Sequence, residues 1–288
     1  MNFSASAGAG TGILLSDPPL RLNQIRDMRA IDGVTLGWGY DYAWYVGLSI
    51  RGIGWSTALL FYSVLLAGES PGKVDQKAMD LRQALESEVS RFRAWADSFP
   101  VPERSGEWEC LYPDWQGIDS AFSAFVAATR CQEWDLEMTR LLLYIIARDN
   151  ESQELVKQVA KRPEDLVWLA QQAIDSPERD AKWQLAAELS HLSRREPQVE
   201  SLLLHFAHDT DEYVRRCGLM ALADTRSESV EELIAPAWES GDEYQRMAVL
   251  YALWKVGSPQ LDIYLQGAES DGRWYLVAYA ARIRNNNP

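Results

Sequence analysis

The sequence predicts an all-α protein: an irregular, mostly helical N-terminal domain over residues 1–130, then a short solenoid of helix-turn-helix units over 131–288. Two observations carry this expectation. The segment Asp211–Leu222 recurs 31 residues later as Asp242–Leu253, and more loosely as Ser270–Ala281. Self-similarity at such a period marks stacked units, each burying a face that it cannot cover alone. Lys73–Phe99 carries a single apolar stripe at helical spacing, through Val74, Lys77-Ala78, Leu81, Leu85, Val89, Phe92 and Trp95-Ala96.

In chain order, residues 1–19 are rich in Gly, Ala and Ser and end on Asp17-Pro18-Pro19, which reads as a flexible lead. Leu22, Ile25, Met28 and Ile31 predict a short helix over 20–31. Over 34–55, the alternation of Trp38, Tyr40, Tyr42 and Trp44 points to a strand, while five glycines weaken any regular element. Residues 56–67 read as a buried helix. The 73–99 helix ends at Pro100 and Pro102. A loop over 103–117 follows, then helices near 118–130, 134–148 and 151–161.

From Pro163 the units begin. First helices are expected near 164–174, 198–207, 228–238 and 259–267, and second helices near 179–192, 212–223, 243–255 and 273–283. Pro197 and Pro259 stand where a first helix starts, a place that tolerates a missing N–H.

Composition narrows the function. The 288 residues suffice for about two domains, and 47% hydrophobic with 24% charged residues is a globular balance. The net charge of −14 is spread along the chain, so nucleic acid and anionic membrane are not expected partners and a basic protein is. The three cysteines are far apart with no CxxC pair, against a disulfide framework or a zinc ribbon. Met1–Gly12 has no basic region of the secretory kind. The longest apolar run, Ile53–Ala67, falls short of the ~20 residues that a membrane span needs. A cytoplasmic location follows as an expectation.

The pattern Asp-x-x-Val-Arg-x-x-x-x-x-Ala-Leu at 211–222 resembles a HEAT repeat of the short kind, and the resemblance covers about 166–288. It implies that the turn aspartates Asp211 and Asp242 cap the second helices. It also implies that Arg215 and Arg246, with Lys182 in the first unit, bridge to the neighbouring unit; Leu276 takes that place in the last. Most HEAT solenoids are protein-binding scaffolds, and the side formed by the second helices is usually their inner, concave face.

Placed in register, three columns face away from the first helices: Trp183/Arg216/Met247/Val277, Ala187/Met220/Tyr251/Ala281 and Ser190/Ala223/Trp254/Arg284. From these, Trp183, Arg216, Met220, Met247, Tyr251 and Trp254 are the candidate partner-binding residues, because aromatic, Met and Arg side chains are enriched where proteins meet. Trp108, Tyr112 and Trp115 of the 103–117 loop join them. A further row, Tyr213/Tyr244/Trp274, reads more simply as rings packed on the preceding turns.

His205-x-x-His208-Asp209 has metal-like spacing, yet no third imidazole stands nearby except His191, and no metal or cofactor is expected. No phosphate loop, dinucleotide fingerprint or nucleophile elbow is present. The sequence therefore predicts a non-enzymatic protein-binding scaffold or inhibitor. An immunity protein that neutralises a basic toxin is one instance. The alternative is an enzyme with an acidic site built from Glu107, Glu109, Asp114 and Asp119 against the solenoid.

Overall fold

A computed structural model describes residues 34–38, 44–48, 71–104, 106–192 and 197–285. The lead at 1–19 and the helices expected over 20–31 and 56–67 lie outside the described residues. The chain divides into two compact units, residues 1–80 and 81–288, the division falling within a long helix. Residues 81–130, assigned from the sequence to the N-terminal domain, pack into the same core as the repeats.

In the first unit, β1 (Val34–Trp38) and β2 (Trp44–Leu48) form an antiparallel hairpin, in register from Val34 opposite Leu48 to Trp38 opposite Trp44. Of the alternating aromatic residues, Trp38 ends β1 and Trp44 begins β2, while Tyr40 and Tyr42 lie outside the described residues. All other regular structure among the described residues is helical, in keeping with the expected fold class.

Helix α1 (Pro71–Ser98) buries Leu85, Val89, Phe92 and Ala96, the C-terminal part of the stripe predicted from spacing, and leaves Ala78, Leu81 and Trp95 half-buried. After it come short 3-10 turns at Val101–Glu103 and Trp108–Leu111, then α2 (Trp115–Ala128), which starts three residues before the expected 118. A 3-10 turn at Cys131–Glu133 leads into α3 (Leu136–Arg148), capped by the Asp135 carboxylate accepting from the Met138 amide at 2.8 Å, and then α4 (Glu154–Ala160).

Four helical hairpins complete the chain: α5 (Pro163–Ala173) with α6 (Arg179–Leu189), α7 (Pro197–Ala207) with α8 (Glu212–Asp224), α9 (Val230–Glu239) with α10 (Glu243–Val256), and α11 (Leu261–Asp271) with α12 (Trp274–Arg284). Their second helices stack in sequence, α6 on α8, α8 on α10 and α10 on α12, and α3 packs on α6 in the same manner. A continuous core runs from Leu85 to Leu253, and a second cluster of Leu250, Leu265, Ala268, Leu276, Ala280 and Ile283 closes the last hairpin.

The turn chemistry accounts for the hairpins. Asp211 accepts from the Tyr213 and Val214 amides at 2.9 and 3.2 Å, and Asp242 from the Gln245 amide at 2.9 Å, satisfying donors that a helix start leaves open. The cation after each cap behaves less uniformly than the resemblance implied. The Lys182 ammonium reaches forward to Asp209 at 2.8 Å, and Arg246 reaches forward to Asp271. Arg215 does not bridge: it donates to the Asp209 and Thr210 carbonyls of its own turn, at 2.8 and 2.7 Å. The reason lies one turn ahead, where the place held by Asp209 and Asp271 is taken by Ser240, which offers no charge.

Candidate partner-binding face

The helix starts fix the register of the last unit. Asp211, Asp242 and Arg273 are the N-caps, and Val214, Gln245 and Leu276 are the buried residues three positions on. The 31-residue period therefore continues through the last hairpin, not the 30-residue step that paired Tyr244 with Trp274. Tyr213, Tyr244 and Tyr275 occupy equivalent places, with Trp274 beside the third. The last members of the three columns move by one in the same way, and Val277, not Leu276, stands at the bridging cation's place.

This row is on the surface. Tyr213 is 41% exposed, Tyr244 47%, Tyr275 57% and Trp274 72%. The expectation that these rings pack on the preceding turns does not hold. They sit in the first turn of each second helix, just past the cap, where the chain emerges from the stack.

Between successive tyrosines stands a residue from the first of the predicted columns. Trp183 meets Tyr213 edge-on, with centroids 5.4 Å apart, and its indole donates to Asp180 at 3.2 Å. Arg216 lies over both Tyr213 and Tyr244, 4.5 and 4.8 Å from their centroids, with Glu212 at 3.6 Å. Met247 holds the third place and packs against the terminal cluster. The structure thus brings Trp183 and Arg216 together with the tyrosines in one ladder across the second helices, and Met247 takes the equivalent place in the next repeat.

The next column is half-buried. The Tyr251 hydroxyl donates to Asp224 at 2.7 Å, Lys255 reaches the same carboxylate at 2.8 Å, and the Tyr251 and Trp254 rings lie 6.1 Å apart. Met220 and Trp254 pack partly against the two core clusters, and Ala223 of the outermost column is buried. These side chains edge the ladder and double as contacts between units.

The 103–117 loop belongs to the body. Trp108 stacks on Trp95 with centroids 5.5 Å apart and planes 15° from parallel, and Arg104 covers its ring at 4.9 Å. Tyr112 is 6% exposed and meets Phe92 edge-on, and the Trp115 indole donates to the Glu109 carbonyl at 2.9 Å. Tyr112 is therefore core, and half-buried Trp108 and Trp115 are spent on the same aromatic cluster. As a contact surface the three are withdrawn.

The carboxylates of the alternative reading do not converge. A cavity of about 510 Å³ is lined by Asp119, Arg148, Asp149, Glu151, Cys110 and Trp115 among others, but not by Glu107, Glu109 or Asp114. Asp114 pairs with Arg91, and Glu107 is exposed. The histidine motif is likewise dispersed. Asp209 is engaged by Lys182, and His208 Nδ1 lies 2.8 Å from the Leu204 carbonyl oxygen. Among the described residues no group of three or more His, Cys, Asp or Glu is arranged to hold a metal ion.

At the cavity rim the Cys110 thiol donates to Glu151 at 2.6 Å. Burial pushes this thiol up, and the neighbouring carboxylate adds to it, to about 12. Although Cys110 is exposed, its thiolate is scarce at neutral pH. Iodoacetamide at pH 8 should modify it roughly a hundredfold more slowly than an unperturbed cysteine, once the greater nucleophilicity of a more basic thiolate is allowed for. Glu151→Gln should speed the reaction. Peptide mapping by mass spectrometry reads both rates, and equal rates in the two proteins would refute the carboxylate's role.

Stacked helical hairpins with capped second helices define a helical solenoid. Residues 166–254 match the family model for HEAT repeats, in keeping with the stacked hairpins of that stretch, and HEAT repeats commonly mediate protein interactions. No curated protein and no solved structure matches the chain. No helix among the described residues is long and apolar enough to cross a membrane.

Proposed function

We propose that this protein is a non-enzymatic scaffold that binds a basic protein through the second-helix face, and that it acts as an inhibitor by occupying its partner's surface. An immunity protein directed against a basic toxin is one form such an inhibitor takes. The observation that carries the reading is the row of exposed rings Tyr213, Tyr244, Trp274 and Tyr275 on consecutive repeats. Large aromatic side chains left in water at a repeating interval, and flanked by Trp183, Arg216 and Met247, supply the anchors that binding surfaces use. The net charge of −14 supports a basic partner, since opposite charge speeds encounter and sets partner choice.

The test is capture from native lysate by wild-type protein and by a Tyr244→Ala/Trp274→Ala/Tyr275→Ala variant. These side chains are exposed, so the variant should keep its helical circular dichroism. The expected result is one captured protein of high isoelectric point, lost with the triple substitution and weakened as salt is raised. Capture of the same partner by both proteins would place binding elsewhere. An acidic partner, or one indifferent to salt, would remove the basis for the charge argument.

A further inference from the structure

The three junctions of the ladder are filled differently. Between Asp180 and Tyr213 stands the Trp183 indole. Between Tyr213 and Tyr244 stands the Arg216 guanidinium, ring-stacked on both sides and paired with Glu212. Between Tyr244 and Tyr275 the equivalent residue is Met247, which carries no charge. The other parts of the cationic site are retained there. Glu243 stands where Glu212 does, and its Oε1 accepts from the Leu276 amide at 3.1 Å. Tyr275 stands where Tyr244 does, with Trp274 set edge-on at 4.7 Å to extend the aromatic surface.

The nearby arginines are committed. Arg246 donates to the Trp238 carbonyl at 3.0 Å and pairs with Asp271. Arg273 is forked onto Asp271 at 2.6 and 2.7 Å and donates to the Gly241 carbonyl at 3.0 Å.

From this comparison within the chain we propose that the junction of α10 and α12 is a receptor for an arginine side chain of the partner protein. The guanidinium stacks on the exposed rings of Tyr275 and Trp274 beside Met247, which holds the place of Arg216, with Glu243 as its counter-charge. A guanidinium suits such a site better than an ammonium, because it is planar, stacks on aromatic faces and is weakly hydrated. This assignment rests on the proposal that the second-helix face binds a basic protein, and it names the contact that would read that partner.

The experiment uses the full chain with methionine methyl groups labelled with carbon-13. The Met247 signal is assigned by its loss in Met247→Leu, and the probe is N-acetyl-arginine amide. The expected result is a saturable shift of the Met247 methyl with the arginine probe and none with the neutral citrulline analogue, while the Met138 methyl, buried in the core, stays still. Trp274→Ala/Tyr275→Ala should weaken the titration about tenfold, and Glu243→Gln should weaken it less. No Met247 shift, an equal shift with citrulline, or an unchanged titration in the double variant overturns the proposal. Because the probe is a small molecule, the two readings fail separately. A silent Met247 with partner capture still dependent on Tyr244, Trp274 and Tyr275 removes the arginine site alone. A working site with no captured protein removes the scaffold reading.

Discussion

Gly218→Ala destabilises the stack by about 2–3 kcal/mol, and Gly218→Val by more, with a matching fall in the urea midpoint. The sign is the informative part. In an ordinary helix interior, glycine to alanine stabilises by roughly 0.5–1 kcal/mol. Here a Cβ on residue 218 would stand 2.5 Å from the Ala207 amide nitrogen and 2.8 Å from the Phe206 carbonyl carbon, so α8 would have to move off the backbone of α7. A backbone cannot step aside as a side chain can. Gly267→Ala is the control: its nearest neighbour is the Trp238 ring at 2.8 Å, a side chain that can shift by a few tenths of an ångström where a backbone cannot, so the cost should be smaller. Equal effects at the two sites would mean that the α7–α8 crossing is looser than described.

Asp209→Ala should cost about 3 kcal/mol, and more than Lys182→Met. The pair is nearly closed to solvent, with side chains 10% and 11% exposed. Asp209 also accepts from the Asp211 amide at 2.8 Å. Removing the carboxylate strands a desolvated ammonium, whereas Lys182→Met leaves an aspartate that its backbone donor still satisfies. Burial alone would raise the Asp209 carboxyl, but the Asp211 amide and the Lys182 ammonium outweigh it and hold the group below its ordinary value. A carboxyl lowered by folding contributes stability above its unfolded value, about 3.9, and loses it as the pH falls through the folded one. Wild type should therefore lose stability below about pH 4, and Asp209→Ala should show a flatter acid limb. Parallel acid limbs would refute this.

The repeat was legible because it is written locally. Asp211 and Asp242 sit three residues ahead of buried positions, and cap chemistry needs no distant partner. Spacing likewise gave the buried stripe of α1. What spacing could not give was contact across the chain. Trp108, Tyr112 and Trp115 looked like a displayed loop because nothing in periodicity reveals that they close over Phe92 and Trp95. Arg215 looked like a bridge because the missing carboxylate is at Ser240, a full unit later. Spacing alone pairs Trp274 with Tyr244, a one-residue slip in register that only the N-caps and buried positions resolve in favour of Tyr275. The signal for the exposed row was present in the 31-residue recurrence of tyrosine at 213, 244 and 275.

The most direct test of the central claim is hydrogen–deuterium exchange of the protein with and without its captured partner. The account predicts slowed exchange in the turns and second helices, over residues 209–220, 240–251 and 271–279, with the first helices α7 and α9 unchanged. Protection confined to α7 and α9, or to residues 103–117, would contradict it and place the binding surface on another side of the stack.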